Sequence, residues 1–283
     1  MRKILIPTDF SANATNAINY ALELFKYEVC IFYFMHAFQD DIYTDEALLT
    51  REALSETTKI VGDQSQKELE TTLKDVKERC PNPRFSYRII ASNNVLVDEA
   101  DKIVDEENID IIVMGTRGKT NDRKLSFGSH TLQVLKYVAC PVLAIPEGYK
   151  YTQPKHVLFP TNYLIPFKRR ELKLLCEMLF PFRAKIDMLY VSINDGLSLR
   201  QEDNKAFVAE SLRKNNVNFY TVKKKQITRT INAYINEKAI DMLVMVNTRH
   251  SHLENILFQS RFDKIGLNIN IPFLALQNIK RDT

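Results

Sequence analysis

Residues 109–118 read IDIIVMGTRG. Ile109–Met114 is a nearly unbroken apolar run of strand length, the pattern expected where both faces of a sheet are covered. It ends in Gly115-Thr116-Arg117-Gly118, and after nine further residues Gly128-Ser129 opens a helical pattern. The chain has seven glycines, and three of them fall in this short stretch. A chain that avoids glycine elsewhere needs a close backbone approach here. Glycines let backbone N–H groups reach a phosphate without interference from a Cβ. The N-terminus of the helix near Ser129 adds its positive dipole end. The stretch reads as a buried strand followed by an anion cradle.

Strand and helix patterns alternate on either side of it. Lys3–Pro7 is a short apolar strand. Ser11 can cap a helix whose apolar face uses Ala14, Ala17, Ile18, Ala21, Leu22 and Phe25. Val29–Ala37 is a second strand, residues 45–79 carry an amphipathic helical spacing, and Phe85–Ala91 is a third strand. A helix over Val95–Glu107 leads into Ile109–Met114. A helix over Ser129–Val138 leads into a last strand, Val142–Ile145. Repeated units of this kind predict an α/β fold, a doubly wound, Rossmann-like parallel sheet between helices.

The whole pattern then recurs. RKILIPTD (2–9) matches KHVLFPTN (155–162), and IDIIVMGTRG matches AIDMLVMVNTRH (239–250). LSFGS (125–129) matches ILFQS (256–260), and VACPVLAIP (138–146) matches NINIPFLALQ (268–277). Four blocks in one order indicate duplication, with a boundary at Gly148–Pro154. The expected architecture is two tandem domains, 1–150 and 151–283, each with a five-stranded, mostly parallel sheet. Each ends in an apolar strand, Val142–Ile145 or Phe273–Leu276. Pairing of those two strands would make the chain an intrachain pseudo-dimer, with a homodimer possible through other surfaces.

The 283 residues are 45% hydrophobic and 26% charged, ordinary for a globular protein and inconsistent with wholesale disorder. No apolar run reaches membrane-span length, and the start MRKILIPTDF lacks a signal-type apolar stretch, so the expectation is a cytoplasmic protein. The formal charge of +4 conceals an asymmetry: residues 1–150 carry a net −5 and residues 151–283 a net +9. The second half can therefore attract anions, but no nucleic-acid module signature accompanies it, and nucleic acid is not the expected partner. Cys30, Cys80, Cys140 and Cys176 form no CxxC pair and read as reduced thiols, three of them buried, without a zinc site.

Ligands of open α/β sheets bind at the carboxyl ends of the strands. Three segments converge there: Pro7-Thr8-Asp9, His36-Ala37, and Met114-Gly115 onward. Arg117 and Lys119 lie in the loop, where they can neutralise phosphate charge or face solvent. His130 stands beside the helix start, where its neighbour is a phosphate or solvent. His36, at the end of an apolar strand, reads as a hydrogen-bonded core histidine. GxxxxGK[ST], GxGxxG and GxSxG are absent, as is any nucleophile with a base and an orienting acid.

The spacing Gly115-x2-Gly118-x9-Gly128-Ser129 resembles the motif of the ATP-binding branch of the universal stress protein family. The opening KILIPTDFS, the segment FMHAF and the closing ACPVLAIP agree with it. The resemblance implies that Asp9 contacts the adenine and ribose side of a nucleotide and that the backbone at Ala37 reads the adenine edge. It implies ribose and phosphate contacts from Gly115, Gly118, Gly128 and Ser129. The expected ligand is ATP, or ADP or AMP, with Mg²⁺ possible beside it. One departure is Ala91-Ser92-Asn93-Asn94, where members often carry a Gly-x-Pro turn. The second repeat departs further: Asn162 replaces the aspartate, Asn247, His250 and Gln259 replace the glycines, and Ser260 remains. It reads as a degenerate domain without a nucleotide site. The implied function is a nucleotide-responsive stress regulator with a protein partner that the sequence does not identify. Two other readings stay open at this point: an interaction protein whose loop is a relic, and a slow ATP hydrolase.

Overall fold

The computed structural model describes residues 1–42, 51–118, 127–192, 196–247 and 270–278. Lys119, His250, Gln259 and Ser260 lie outside the described residues. The chain divides into two compact units, Met1–Cys140 and Pro141–Asp282.

The first unit runs β1 (Arg2–Pro7), α1 (Ala12–Leu24), β2 (Cys30–Ala37), α2 (Gln39–Ile42), α3 (Arg51–Arg79), β3 (Phe85–Ser92), α4 (Leu96–Glu106), β4 (Ile111–Gly115) and α5 (Ser129–Tyr137). Its strand order is β3-β2-β1-β4, all parallel. Parallel strands with helices on both faces bury every residue of a central strand. Ile4, Leu5, Ile6, Ile111, Ile112 and Val113 are accordingly fully buried. Ser11 caps α1 by accepting from the Ala14 N–H, and the helix buries Ala14, Ala17, Ile18, Ala21 and Leu22. Cys30 is fully buried and its thiol is pushed up to about 12 by that burial, which makes it chemically inert at neutral pH.

The second unit runs β5 (Val142–Ile145), β6 (His156–Pro160), α6 (Arg169–Leu179), β7 (Lys185–Ser192), α7 (Leu199–Ser211), β8 (Asn216–Lys223), α8 (Ile227–Glu237), β9 (Met242–Asn247) and β10 (Phe273–Gln277). The order β10-β9-β6-β7-β8 repeats, strand for strand, the β4-β1-β2-β3 of the first unit with one strand added. The added neighbour of β10 is β5, paired antiparallel with Leu274 opposite Leu143. The two terminal apolar strands therefore meet, the pairing that the family resemblance and the liability of unpaired apolar edges imply. The duplication also shows in the backbone. Phe10 and Asn108 adopt left-handed φ of 62° and 52°, and Tyr163 and Ala239 match them at 54° and 49°.

A buried carboxylate ties the amino ends of the second unit's strands. Asp187, 1% exposed, lies 2.7 Å from His156 Nε2 and 3.3 Å from Lys185 Nζ. The Tyr234 hydroxyl donates to it at 2.9 Å. Burial opposes its charge, but the bonds from His156 and Tyr234 together prevail and hold its carboxyl below the ordinary carboxylate range. Asp187→Ala should cost about 1–3 kcal/mol, because it leaves the half-buried His156 and Tyr234 donors without their acceptor. A depressed carboxylate pKa stabilises the fold above the unfolded-state value and loses that contribution as pH falls through the folded value. The wild type should therefore lose stability below about pH 4, and the variant should show a flatter acid limb. Urea midpoints measured from neutral to acidic pH check both.

Candidate functional site

The carboxyl ends of β1, β2 and β4 and the start of α5 enclose a cleft of about 250 Å³. All eleven residues singled out from the sequence line it: Pro7, Thr8, Asp9, Ala37, Met114, Gly115, Arg117, Gly118, Gly128, Ser129 and His130. It is further lined by Ala14, His36, Asp40, Asp41, Leu96 and Thr131.

The turn after β1 is set by short side chains. The Thr8 N–H donates to Met35 O at 2.8 Å and continues the strand register by one residue. Thr8 Oγ1 accepts from the Phe10 N–H at 3.0 Å, and Asp9 Oδ1 accepts from the Ser11 N–H at 3.1 Å. These bonds hold Phe10 in its left-handed conformation and aim Asp9 across the cleft. The Phe10 ring rests on His36, centroids 4.7 Å apart. His36 is buried, as read from the sequence, and its Nδ1 donates to Thr8 O at 2.7 Å. Its Nε2 lies 3.2 Å from Asp41 Oδ2.

The glycine cluster divides its work in a way the spacing does not reveal. A Cβ on Gly115 would lie 2.6 Å from Asn13 Nδ2. That amide passes through the space to donate to Arg117 O at 2.7 Å. Gly115 therefore makes room for a strut between α1 and the loop. A Cβ on Gly118 would meet Asp9 Oδ2 at 2.9 Å, so this glycine keeps the cleft open opposite the carboxylate. The Gly128 N–H is already committed to Thr116 O at 2.7 Å. Beyond it, α5 begins at Ser129, and its first-turn amides at Ser129, His130 and Thr131 are the donors that a helix leaves without an intrahelical partner. An anion at this end meets those amides and the dipole end together. Thr131 Oγ1 pins the arrangement by donating to Gly115 O at 3.0 Å.

The opposite end is apolar, with Pro7, Ala37, Leu96 and Met114 as walls. Asn94 replaces a proline-type turn at its edge by donating through Nδ2 to the buried Glu99 at 3.1 Å. The cleft carries the carboxylates of Asp9, Asp40 and Asp41 against the guanidinium of Arg117. His130 Nε2 sits 3.3 Å from Asp40 Oδ2 at the mouth. Asp40 and Asp41 come from a four-residue helix, too short to show a periodic signal.

The second repeat carries a different constellation at the same place. Val157 and Leu158 of β6 face Met242 and Leu243 of β9, as Ile4 and Leu5 face Ile111 and Ile112. Counting forward in that register puts Val246, not Asn247, at the position of Gly115. Matching the TR dipeptides of the two segments misplaces this position by one residue. Asn247 is instead buried, its Nδ2 donating to Gln277 Oε1 at 3.0 Å.

Among the described residues, no helix is long and apolar enough to cross a membrane. The Universal stress protein family profile matches residues 1–146. The chain is 30% identical over 159 residues to Universal stress protein MJ0577 of Methanocaldococcus jannaschii, covering 51% of this chain and 94% of that protein. Universal stress protein MJ0531 of the same organism is 28% identical over 153 residues, with coverage of 53% and 84%. The crystal structure of a universal stress protein from Archaeoglobus fulgidus superposes with a TM-score of 0.65 at 17% identity, covering 97% of this chain and 96% of that one. At that identity the likeness speaks to fold alone. With the family profile spanning more than half of its length, the chain belongs to the universal stress protein family.

Proposed function

We propose that the first repeat, residues 1–150, binds an adenine nucleotide and that the second, residues 151–283, does not. One observation carries this reading: a single cleft has a helix N-terminus at one end and an apolar slot at the other, with Asp9 between them. The adenine fits the slot of Pro7, Ala37, Leu96 and Met114. The ribose lies by Asp9 and Gly118, and the phosphates meet the first turn of α5, the Ser129 hydroxyl and Arg117. Mg²⁺ fits as a hydrated ion carried by the phosphates, with the Asp9 carboxylate helping to hold it. Bound ion would offset the repulsion between the phosphates and the cleft's carboxylates.

The nucleotide acts as a signal in this reading. It biases conformation or partner choice through a difference in affinity between two states of the protein. The paired β5 and β10 make the chain an internal counterpart of a dimer, and the working compartment is the cytoplasm.

The test is direct. Mass spectrometry of small molecules released from the purified, denatured full chain should find ATP, ADP or AMP. Calorimetric titration of the stripped full chain with ATP should give about one site per chain, as one cradle predicts. Absence of both released nucleotide and titration heat would sink the proposal, and two equivalent sites would sink the asymmetry.

A further inference from the structure

The cleft of the second repeat is present but chemically converted. A cavity of about 120 Å³ opens at the carboxyl ends of β6, β7 and β9. None of the described residues that line it is ionisable, whereas the first cleft holds three aspartates, an arginine and two histidines. Its walls are Phe167, Leu189, Met245 and Val246, and Thr161 and Asn162 stand at its rim. The Phe167 ring is braced edge-on against Phe159, centroids 5.8 Å apart. Val246 fills the place of Gly115, so a side chain stands where the first repeat leaves room for the Asn13 strut, and it lines this cavity.

The two polar groups are half spent. Thr161 Oγ1 accepts from the Tyr163 N–H at 3.1 Å, and Asn162 Oδ1 accepts from the Leu164 N–H at 3.0 Å. The groups left to meet a ligand are the Thr161 hydroxyl hydrogen and the Asn162 amide hydrogens, both donors. An apolar slot with donors at its rim selects a ligand with an apolar body and a hydrogen-bond acceptor at one end. Among the described residues none offers a counter-charge, so an ionised ligand would find no partner among them to offset its lost hydration.

We propose that the second repeat binds a neutral small molecule, a single aromatic ring carrying a carbonyl acceptor, in the cleft between Thr161, Asn162, Phe167 and Val246. The ring lies against Phe167 and Met245, and the carbonyl accepts from Thr161 and Asn162. The duplicated fold thereby pairs two sites of opposite chemistry in one chain. This site stands independently of nucleotide binding in the first repeat.

Benzamide and benzoate serve as probes of equal shape and different charge. Ligand-observed saturation-transfer NMR on the full chain should show benzamide binding at millimolar concentration, with benzoate at least tenfold weaker. Val246→Phe should reduce benzamide affinity at least tenfold by filling the slot. Asn162→Asp should reduce it at least fivefold, because it removes the amide donor and keeps the acceptor for Leu164. Asp9 shows that this position tolerates a carboxylate, since it accepts from Ser11 in the same way. Circular dichroism verifies folding of both variants, and the aspartate variant decides the matter if the phenylalanine variant misfolds. Saturating ATP should leave the benzamide signal unchanged. No benzamide signal, equal binding of benzoate, indifference to Asn162→Asp in a folded variant, or displacement by ATP would each overturn the proposal.

Discussion

Gly118→Val should lower the ATP affinity of the full chain about 100-fold, or about 2.7 kcal/mol, with little change in melting temperature. Among the described residues, and apart from its own chain neighbours, a Cβ at this position would have only the Asp9 carboxylate within 4 Å, at 2.9 Å. Gly118 is exposed and lies outside the left-handed φ region, so the fold does not resist a side chain there. The added bulk instead displaces Asp9 and fills the space between carboxylate and loop. Gly115→Val is a poorer probe, since it collides with Asn13 and breaks the strut to Arg117. Gly128→Ala should act more mildly, because its nearest contact would be an ordinary 3.5 Å. Calorimetric titration with ATP, alongside circular dichroism, reads the result. An affinity within threefold of wild type would remove the loop from the binding site.

The second large effect is expected at Leu274→Asp. Leu274 is fully buried between Leu143 on β5 and Val244 on β9, which are themselves fully buried. The substitution removes an apolar side chain worth about 1.5–3 kcal/mol of burial and places a carboxylate where nothing offsets its charge. A loss of about 4 kcal/mol or more follows, in the range reserved for core disruption. Urea unfolding followed by circular dichroism should become biphasic, with the second unit lost first. ATP binding should persist, because every residue lining the proposed site belongs to the first unit. A single transition at the wild-type midpoint would show that β10 contributes little.

Much of this was legible in the chain. Ile109–Met114 betrays a strand covered on both faces, and β4 is fully buried there. Ser11, with the apolar spacing behind it, marks α1 and its cap. The converging site segments are legible because strand ends in a parallel sheet share one edge whatever the loops do. What composition hid was the use of particular atoms. Asn13 looks like a polar neighbour of an apolar helix face, but it is buried and reaches into the space left by Gly115. Thr131 is one hydroxyl among many until its bond to Gly115 O is seen. The position of Val246 follows only from strand register, which a shared TR dipeptide disguises.

The place of β10 between β9 and β5 has a consequence for synthesis. A strand in the middle of a row is made after every strand it joins. Residues 142–145 leave the ribosome long before residues 273–277, on the order of ten seconds earlier at usual elongation rates. For that interval Val142–Ile145 has no partner on the side that β10 will occupy, and β9 (Met242–Asn247), made shortly before β10, adds its own open edge only for the last few seconds, about one to five at the same rate. Unpaired apolar edges are where nascent chains associate wrongly. The duplicated arrangement thus exchanges a search between two molecules for a timed delay within one, and the nascent chain must keep two open edges apart until its last described strand arrives.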